Sequence, residues 1–181
     1  MSNLGTLTSP RVHLAKPSRI RLPELLDVVG QVPRPCWDRQ TFLAALQSEG
    51  AGVAVAETHD RVIGFALYRV TPSSAPARLR HVMQLLRWYS PWTGAARSAA
   101  SDLELLWIGV HPGWHRQGIG RALLRAIHQE LGPCGGCIRA TVPESNLPAQ
   151  LLLRGAGYKA IRIVRSHYGS EDGYLMERQG V

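Results

Sequence analysis

The run His115-Arg116-Gln117-Gly118-Ile119-Gly120-Arg121 carries the residue types and spacing that could do chemistry. It follows an apolar run at 103–110 that holds one acid, Glu104, and it opens a stretch patterned as a helix. The first N–H groups of a helix have no intrahelical partner, and the helix dipole adds positive potential there. Gly118 and Gly120 let a ligand approach the backbone closely. Arg116 and Arg121 add full charges beside the turn. The combination suits a phosphate or pyrophosphate. It is not a P-loop, because no Gly-Lys-Ser/Thr follows, and it lacks the three-glycine spacing of a dinucleotide fingerprint.

Elements on both sides must position this turn. Ile119, Ala122, Leu123, Ala126, Ile127 and Leu131 fall on one helical face, with Arg121, Arg125, His128 and Gln129 largely off it. Residues 103–110 read as a strand. Simple alternation along it puts Glu104 on one face with Leu106, Ile108 and Val110. Upstream, the pattern predicts a short strand at 12–15 and a helix at 23–29, with Pro23 in its first turn and Gly30 as its stop. Asp38 caps a helix at 39–47 that buries Phe42, Leu43 and Leu46. Runs at 52–57 and 61–68, joined by Thr58-His59-Asp60, read as a hairpin. Leu79, Val82, Met83 and Leu86 stand at helical spacing in 78–89, either as a helix on the domain edge or, with Trp88, Tyr89 and Trp92, as a wall of the site. Downstream come a strand at 137–142, a helix at 147–154 stopped by Gly155-Ala156-Gly157, and strands at 158–165 and 174–176.

Composition bounds the rest. A chain of 181 residues with 45% hydrophobic and 19% charged content is globular and long enough for one domain with a real core. The domain reading is a flexible tail at 1–11 and a single domain at 12–178, with 71–101 as an inserted connection. No apolar run is long enough for a membrane span, and the N-terminal residues lack the apolar core of a secretory signal. Three cysteines do not make a disulfide framework, so the expected compartment is the reducing cytoplasm. Cys134-Gly135-Gly136-Cys137 has C-x-x-C spacing, but no further ligand pair stands at motif spacing and a strand, not a helix, follows. The net charge of +8 attracts polyanions such as phosphorylated ligands, RNA or a ribosome surface. No nucleic-acid motif accompanies the charge.

The turn and its flanks resemble motif A of the GNAT acetyltransferases, in which a strand precedes [Gln/Arg]-x-x-Gly-x-[Gly/Ala] and a helix. Here the pattern falls on His115-Arg116-Gln117-Gly118-Ile119-Gly120, with His115 where Gln or Arg is usual. The stretch 142–158 resembles motif B of the same family, with Asn146, Ala149 and Gly157-Tyr158 at its marked positions. The tail 164–176 and the segment Pro35-Cys36-Trp37-Asp38 are most similar to the RimI-type protein N-terminal alanine acetyltransferases. The resemblance implies an α/β (α+β) GNAT fold: a mixed, mostly antiparallel sheet splayed between its fourth and fifth strands and flanked by helices. It implies acetyl-CoA as cofactor, CoA as product, and an amine as acceptor, with a protein N-terminus such as that of a ribosomal protein as first choice. It implies cofactor contacts at Ile108, Gly109, Val110, His115, Arg116, Gln117, Gly118, Ile119, Gly120, Arg121 and Asn146, and a monomer or homodimer.

The RimI-type catalytic pair is not carried over. Thr141 stands where that group has a Glu base, and Leu153 where it has a Tyr acid. Acetyl transfer to an amine needs a group to take the ammonium proton. Glu104 is the first candidate, against a plain salt-bridge role. Tyr168, in the segment where relatives hold a peptide N-terminus, is the second catalytic candidate. Glu144 acting through a water and His111 as a relay rank below them; His111 reads better as a cap of its turn. Two other readings stay open: a small-amine acetyltransferase acting on a polyamine, amino acid or aminoglycoside, and a non-catalytic CoA-binding module.

Overall fold

Runs rich in Val, Ile, Leu and aromatic residues build one seven-stranded sheet. Its strands are β1 (Arg11–Ala15), β2 (Ala51–Glu57), β3 (Val62–Pro72), β4 (Ser101–Val110), β5 (Cys137–Pro143), β6 (Lys159–Tyr168) and β7 (Glu171–Gln179). The spatial order is β1-β2-β3-β4-β5-β7-β6. Every neighbouring pair is antiparallel except β4 and β5, which are parallel. The expected mixed, mostly antiparallel α/β fold is therefore present. The structure is a computed structural model, and it describes residues 10–15, 20–32, 38–59, 61–72, 101–130 and 136–179. The helical pattern at 78–89, Leu131 and Cys134 lie outside the described residues.

Helices α1 (Leu22–Gln31), α2 (Arg39–Gln47), α3 (Ile119–Glu130) and α4 (Leu147–Gly155) cover the sheet. α3 packs Ile119, Leu123, Leu124 and Ile127 into one core, which also takes Leu153 of α4 and Leu103, Leu105, Ile138 and Ala140 of the sheet. α1 and α2 pack on the other face around Leu25, Val28, Phe42 and Leu46, against Val53, Phe65, Leu67 and Trp107. Phe42, Phe65 and Trp107 meet edge to face, with centroids 5.4–5.6 Å apart, the arrangement that aromatic quadrupoles favour. Asp38 caps α2 as its sequence suggests: its Oδ1 accepts the Thr41 N–H at 2.7 Å.

Four expectations need correction. α1 does not stop at Gly30 but runs to Gln31, with Val32 as its C-cap. Nothing crowds a Cβ at Gly30, so this glycine marks an exposed last turn and not the stop. β3 and β4 reach further than read, to Pro72 and from Ser101, because they pair with each other in this stretch. β6 extends to Tyr168 and β7 begins at Glu171, so the substrate-loop position of Tyr168 is the last residue of a strand.

The fourth correction concerns the faces of β4. Tyr68 pairs with Leu105 and Leu67 with Trp107, so Leu106 is an extra residue in β4 and forms a bulge. One inserted residue reverses the side-chain phase of everything beyond it. Leu103 and Leu105 share a core with Ile108 and Val110, whereas Leu106 and Trp107 belong to the opposite core. Glu104 therefore faces the α1/α2 side with Leu106, and not the side of Ile108 and Val110.

A polar cluster ties α3 to the far end of the sheet. His128 contacts the Tyr158 hydroxyl through Nε2 at 3.1 Å, and Arg178 donates to its Nδ1. Nδ1 must then be the bare acceptor, so the ring is neutral with its proton on Nε2. Burial, and then the Arg178 charge, lower the His128 pKa to about 4. An unfolded imidazole titrates at about 6.5. Between those values the unfolded chain binds the extra proton, so stability falls as pH drops through that window and is unaffected above it. We expect the urea midpoint to be lower at pH 5 than at pH 7.5, and His128→Gln, which keeps a donor and an acceptor, to flatten that fall.

Candidate active site

β4 and β5 are hydrogen-bonded neighbours over three residue pairs only, Leu103–Leu105 against Ile138–Ala140. Beyond the Leu106 bulge β4 stays with β3, while β5 stays with β7 as far as Pro143. A wedge opens between them. Register shows which backbone groups face it. The His111 N–H donates to the Ile63 carbonyl at 2.8 Å, so Val110 and Gly64 are a pair without mutual bonds and Gly109 and Phe65 are a bonded pair. Gly109 thus turns its N–H and C=O to β3. Ile108 and Val110 turn theirs to the wedge. Gly109 has a packing reason as well: a Cβ there would stand 2.9 Å from Phe65 Cε1 and 3.0 Å from Val32 Cγ2.

The wedge leads to the basic turn. His111 caps it, its Nδ1 accepting the Gly113 N–H at 3.1 Å. His115 donates from Nε2 to the Val110 carbonyl at 2.8 Å and so fastens the turn to the end of β4. Arg116 and Gly118 sit at φ +62° and +80°, the left-handed region. The Ala122 N–H donates to the Gly118 carbonyl at 3.0 Å, so the N–H groups of Ile119, Gly120 and Arg121 stand ahead of that bond without an intrahelical carbonyl. Arg116, Gln117, Gly118 and Arg121 are exposed, whereas the Ile119 side chain is buried and anchors the helix start. Gly120 lets α4 close in, since a Cβ there would meet Leu152 Cδ2 at 3.1 Å. Asn146 is the N-cap of α4, its Oδ1 accepting the Ala149 N–H at 3.2 Å, which leaves its amide hydrogens for other partners.

A second feature lies on the α1/α2 side of the paired strands. A cleft of about 220 Å³ is lined by Thr71, Asp102, Leu103, Glu104, Arg139, Ala140, Thr141 and Leu175. Arg69, Glu104, Arg139 and Glu177 are successive cross-strand neighbours on β3, β4, β5 and β7, so charges alternate across the sheet. Arg69 pairs with Glu104 at 2.6 Å and Arg139 with Glu177 at 2.9 Å. Asp102, 4% exposed, pairs with Arg139 at 3.1 Å and accepts the Cys137 N–H at 3.1 Å. Burial and the Asp102 carboxylate push the Cys137 thiol up to about 12, which makes it inert. Sequence reasoning missed Arg69, Asp102 and Arg139, because the charge pairing becomes visible only when the registers are known.

Of the two catalytic candidates, Glu104 lines this cleft and Tyr168 bonds to one of its lining residues, Thr141. Glu104 lines it directly, held by Arg69 with both side chains about 40% exposed. Such an exposed pair contributes only about 0–1 kcal/mol, so an incoming cation can compete for the carboxylate. Tyr168 donates its hydroxyl to the Thr141 carbonyl at 2.7 Å. Its ring lies beside Gly173, where a Cβ would be 2.7 Å from Thr141 Cγ2 and 3.2 Å from Tyr168 Cε2. Leu153 is buried in the α3/α4 core and brings no proton donor.

Residues 22–158 match the model of the acetyltransferase (GNAT) family, and the chain belongs to that family. No curated protein matches the chain. Among solved structures it is similar to the ribosomal-protein-S18-alanine N-acetyltransferase of Escherichia coli (22% identity, TM-score 0.69, 95% of this chain and 94% of that one). It is also similar to Arabidopsis thaliana NAA60 in complex with acetyl-CoA (17%, TM-score 0.65, 94% and 99%). A third is Chaetomium thermophilum Naa20 with a bisubstrate analogue (21%, TM-score 0.63, 93% and 85%). At these identities the likeness is one of fold.

Gly118 isolates the contribution of the turn, because a Cβ there meets nothing within 4 Å. The left-handed backbone is the whole obstacle, worth about 1–2 kcal/mol for a residue with a Cβ. Gly118→Ala should leave the fold intact and weaken CoA binding about 5- to 30-fold in a calorimetric titration. Unchanged affinity would remove the turn from the cofactor site.

Proposed function

We propose that this acetyltransferase-family chain moves the acetyl group of acetyl-CoA to the α-amine of a protein N-terminus, in the cytoplasm. The observation that carries the cofactor part is the wedge. It joins the edge of β4 at Ile108 and Val110, beside which no strand of the described residues pairs, to a basic helix N-terminus at 116–121. An extended amide chain fits the first and a diphosphate fits the second. Ile108 and Val110 would pair with the pantetheine arm, the N–H groups of 118–121 with Arg116 and Arg121 would hold the diphosphate, and Asn146 would meet the arm from α4. When bound, acetyl-CoA supplies an acetyl group activated as a thioester.

The remaining chemistry falls to the chain's own residues. The acceptor arrives as an ammonium ion, and the Glu104 carboxylate attracts it into the cleft and takes its proton, directly or through a water. A backbone N–H of the same strand edge, on its Glu104 side, would polarise the acyl oxygen. Tyr168, fixed on Thr141, forms the acceptor-side wall. Two features support the peptide acceptor over a small amine. The tail 164–176 resembles that of N-terminal acetyltransferases, and the cleft's carboxylates, Asp102 and Glu104, are balanced by Arg139 in the lining and by Arg69 paired with Glu104, so the pocket is not purely acidic. The Arg69–Glu104 pair and the buried Leu153 favour, as a second reading, a module that binds CoA without turnover.

A thiol-release assay with alanine-starting peptides, polyamines, amino acids and aminoglycosides separates these readings. We expect turnover on the peptides. We expect Glu104→Ala to lower kcat about 100-fold or more, the usual worth of a general base, with CoA affinity unchanged. Turnover on small amines alone would replace the acceptor, and tight CoA binding without any turnover would leave the binding module.

A further inference from the structure

Two segments far apart in sequence are fastened together at the mouth of the wedge. One is the β6–β7 hairpin around Gly169-Ser170; the other is the end of β5 with the loop that leads from it to α4. The Tyr168 hydroxyl donates to the Thr141 carbonyl at 2.7 Å. The Ser145 N–H donates to a Glu171 carboxylate oxygen at 2.5 Å. The Glu144 N–H donates to the Asp172 carbonyl at 3.0 Å. Hydrogen bonds from the Ser145 side chain and backbone hold the Glu171 carboxyl below its ordinary range, as expected for charge-assisted bonds.

The hairpin is braced from within as well. Ser166 has φ +49°, a left-handed conformation that is strained for a residue with a Cβ. The Asp172 carboxylate accepts its N–H at 2.9 Å and pairs with Arg165 at 2.5 Å. The hairpin is thus a preset unit, and Glu171 is the side chain that reaches from it to the opposite loop. Ser145 immediately precedes Asn146, the cofactor-side cap of α4. Tyr168, the cross-strand partner of Glu171, stands on the acceptor side.

We propose that Glu171 is a positioning residue that clasps the acceptor-side hairpin to the cofactor-side loop, so that acceptor and acetyl-CoA are held by one coupled unit. The naming of the two sides rests on the N-acetyltransferase reading above. A ligand that orders residues 144–146 then orders the hairpin through the same bond, and the second ligand binds an already fixed wall. By linkage each ligand raises the affinity of the other by the same factor.

Hydrogen exchange on the full chain with CoA alone tests the clasp without requiring turnover. In the wild type, CoA should slow exchange in peptides covering both 144–146 and 166–172. In Glu171→Ala it should still slow the first and slow the second markedly less, the Tyr168–Thr141 and Glu144–Asp172 bonds remaining, and the acceptor KM should rise about 5-fold or more. Glu171→Gln keeps an acceptor oxygen for the Ser145 N–H and should restore most of the hairpin protection. Hairpin protection by CoA as strong in Glu171→Ala as in the wild type, or none in the wild type, would overturn the proposal. If no acceptor is ever turned over, the function reading fails while the exchange pattern still decides the clasp.

Discussion

One extra residue in β4 sets the rest of the site. A strand in the middle of a sheet normally satisfies its backbone on both edges, and an unpaired buried N–H or C=O is costly. The Leu106 bulge bends β4 away from β5 after three paired residues. The groups of Ile108 and Val110 are then left facing a gap instead of a neighbour. His115 satisfies the Val110 carbonyl and so ties the basic turn to the gap. What is left is a strand edge that an extended amide chain can complete. The same bulge turns Glu104 to the α1/α2 side, so Glu104 faces away from the side of Ile108 and Val110.

Electrostatics divides the site along the same line. The turn and the start of α3 present N–H groups without an intrahelical carbonyl beside Arg116 and Arg121, suited to a polyanion, and the net charge of +8 draws polyanions toward the chain. The cleft on the other side is nearly balanced. Arg69, Glu104, Arg139 and Glu177 alternate across four strands, with buried Asp102 bound to Arg139. A balanced, partly exposed row holds its members weakly. Glu104 can therefore exchange Arg69 for an ammonium ion, whereas Asp102, buried and bonded twice, stays in place. One carboxylate is held loosely and the other supports the sheet.

Much of this was legible in the sequence, for identifiable reasons. The face of α3 shows in its 3.6-residue period, the α2 cap in Asp38, and the basic turn into α3 in Gly118, Gly120 and their arginines, because each signal is local. The bulge was not legible. Leu106 looks like any strand residue, and its effect appears only when Leu67 and Tyr68 are seen to pair with Trp107 and Leu105. Alternation alone therefore gave Glu104 the wrong face. The charged row and the Glu171–Ser145 bond share that origin, since both join residues about 25 or more positions apart. Gly30 misled for the opposite reason: a local stop signal was overridden by packing of α1, which buries Val28, Val29 and Val32.

The central claim is that the edge of β4 beyond Leu106, with the turn after it, is the seat of acetyl-CoA. A crystal structure of the chain with CoA tests it most directly. The expected result is pantetheine amides paired with the backbone of Ile108 and Val110 and a diphosphate on the N–H groups at 118–121. CoA bound elsewhere, with that strand edge free or closed against β5, would contradict it.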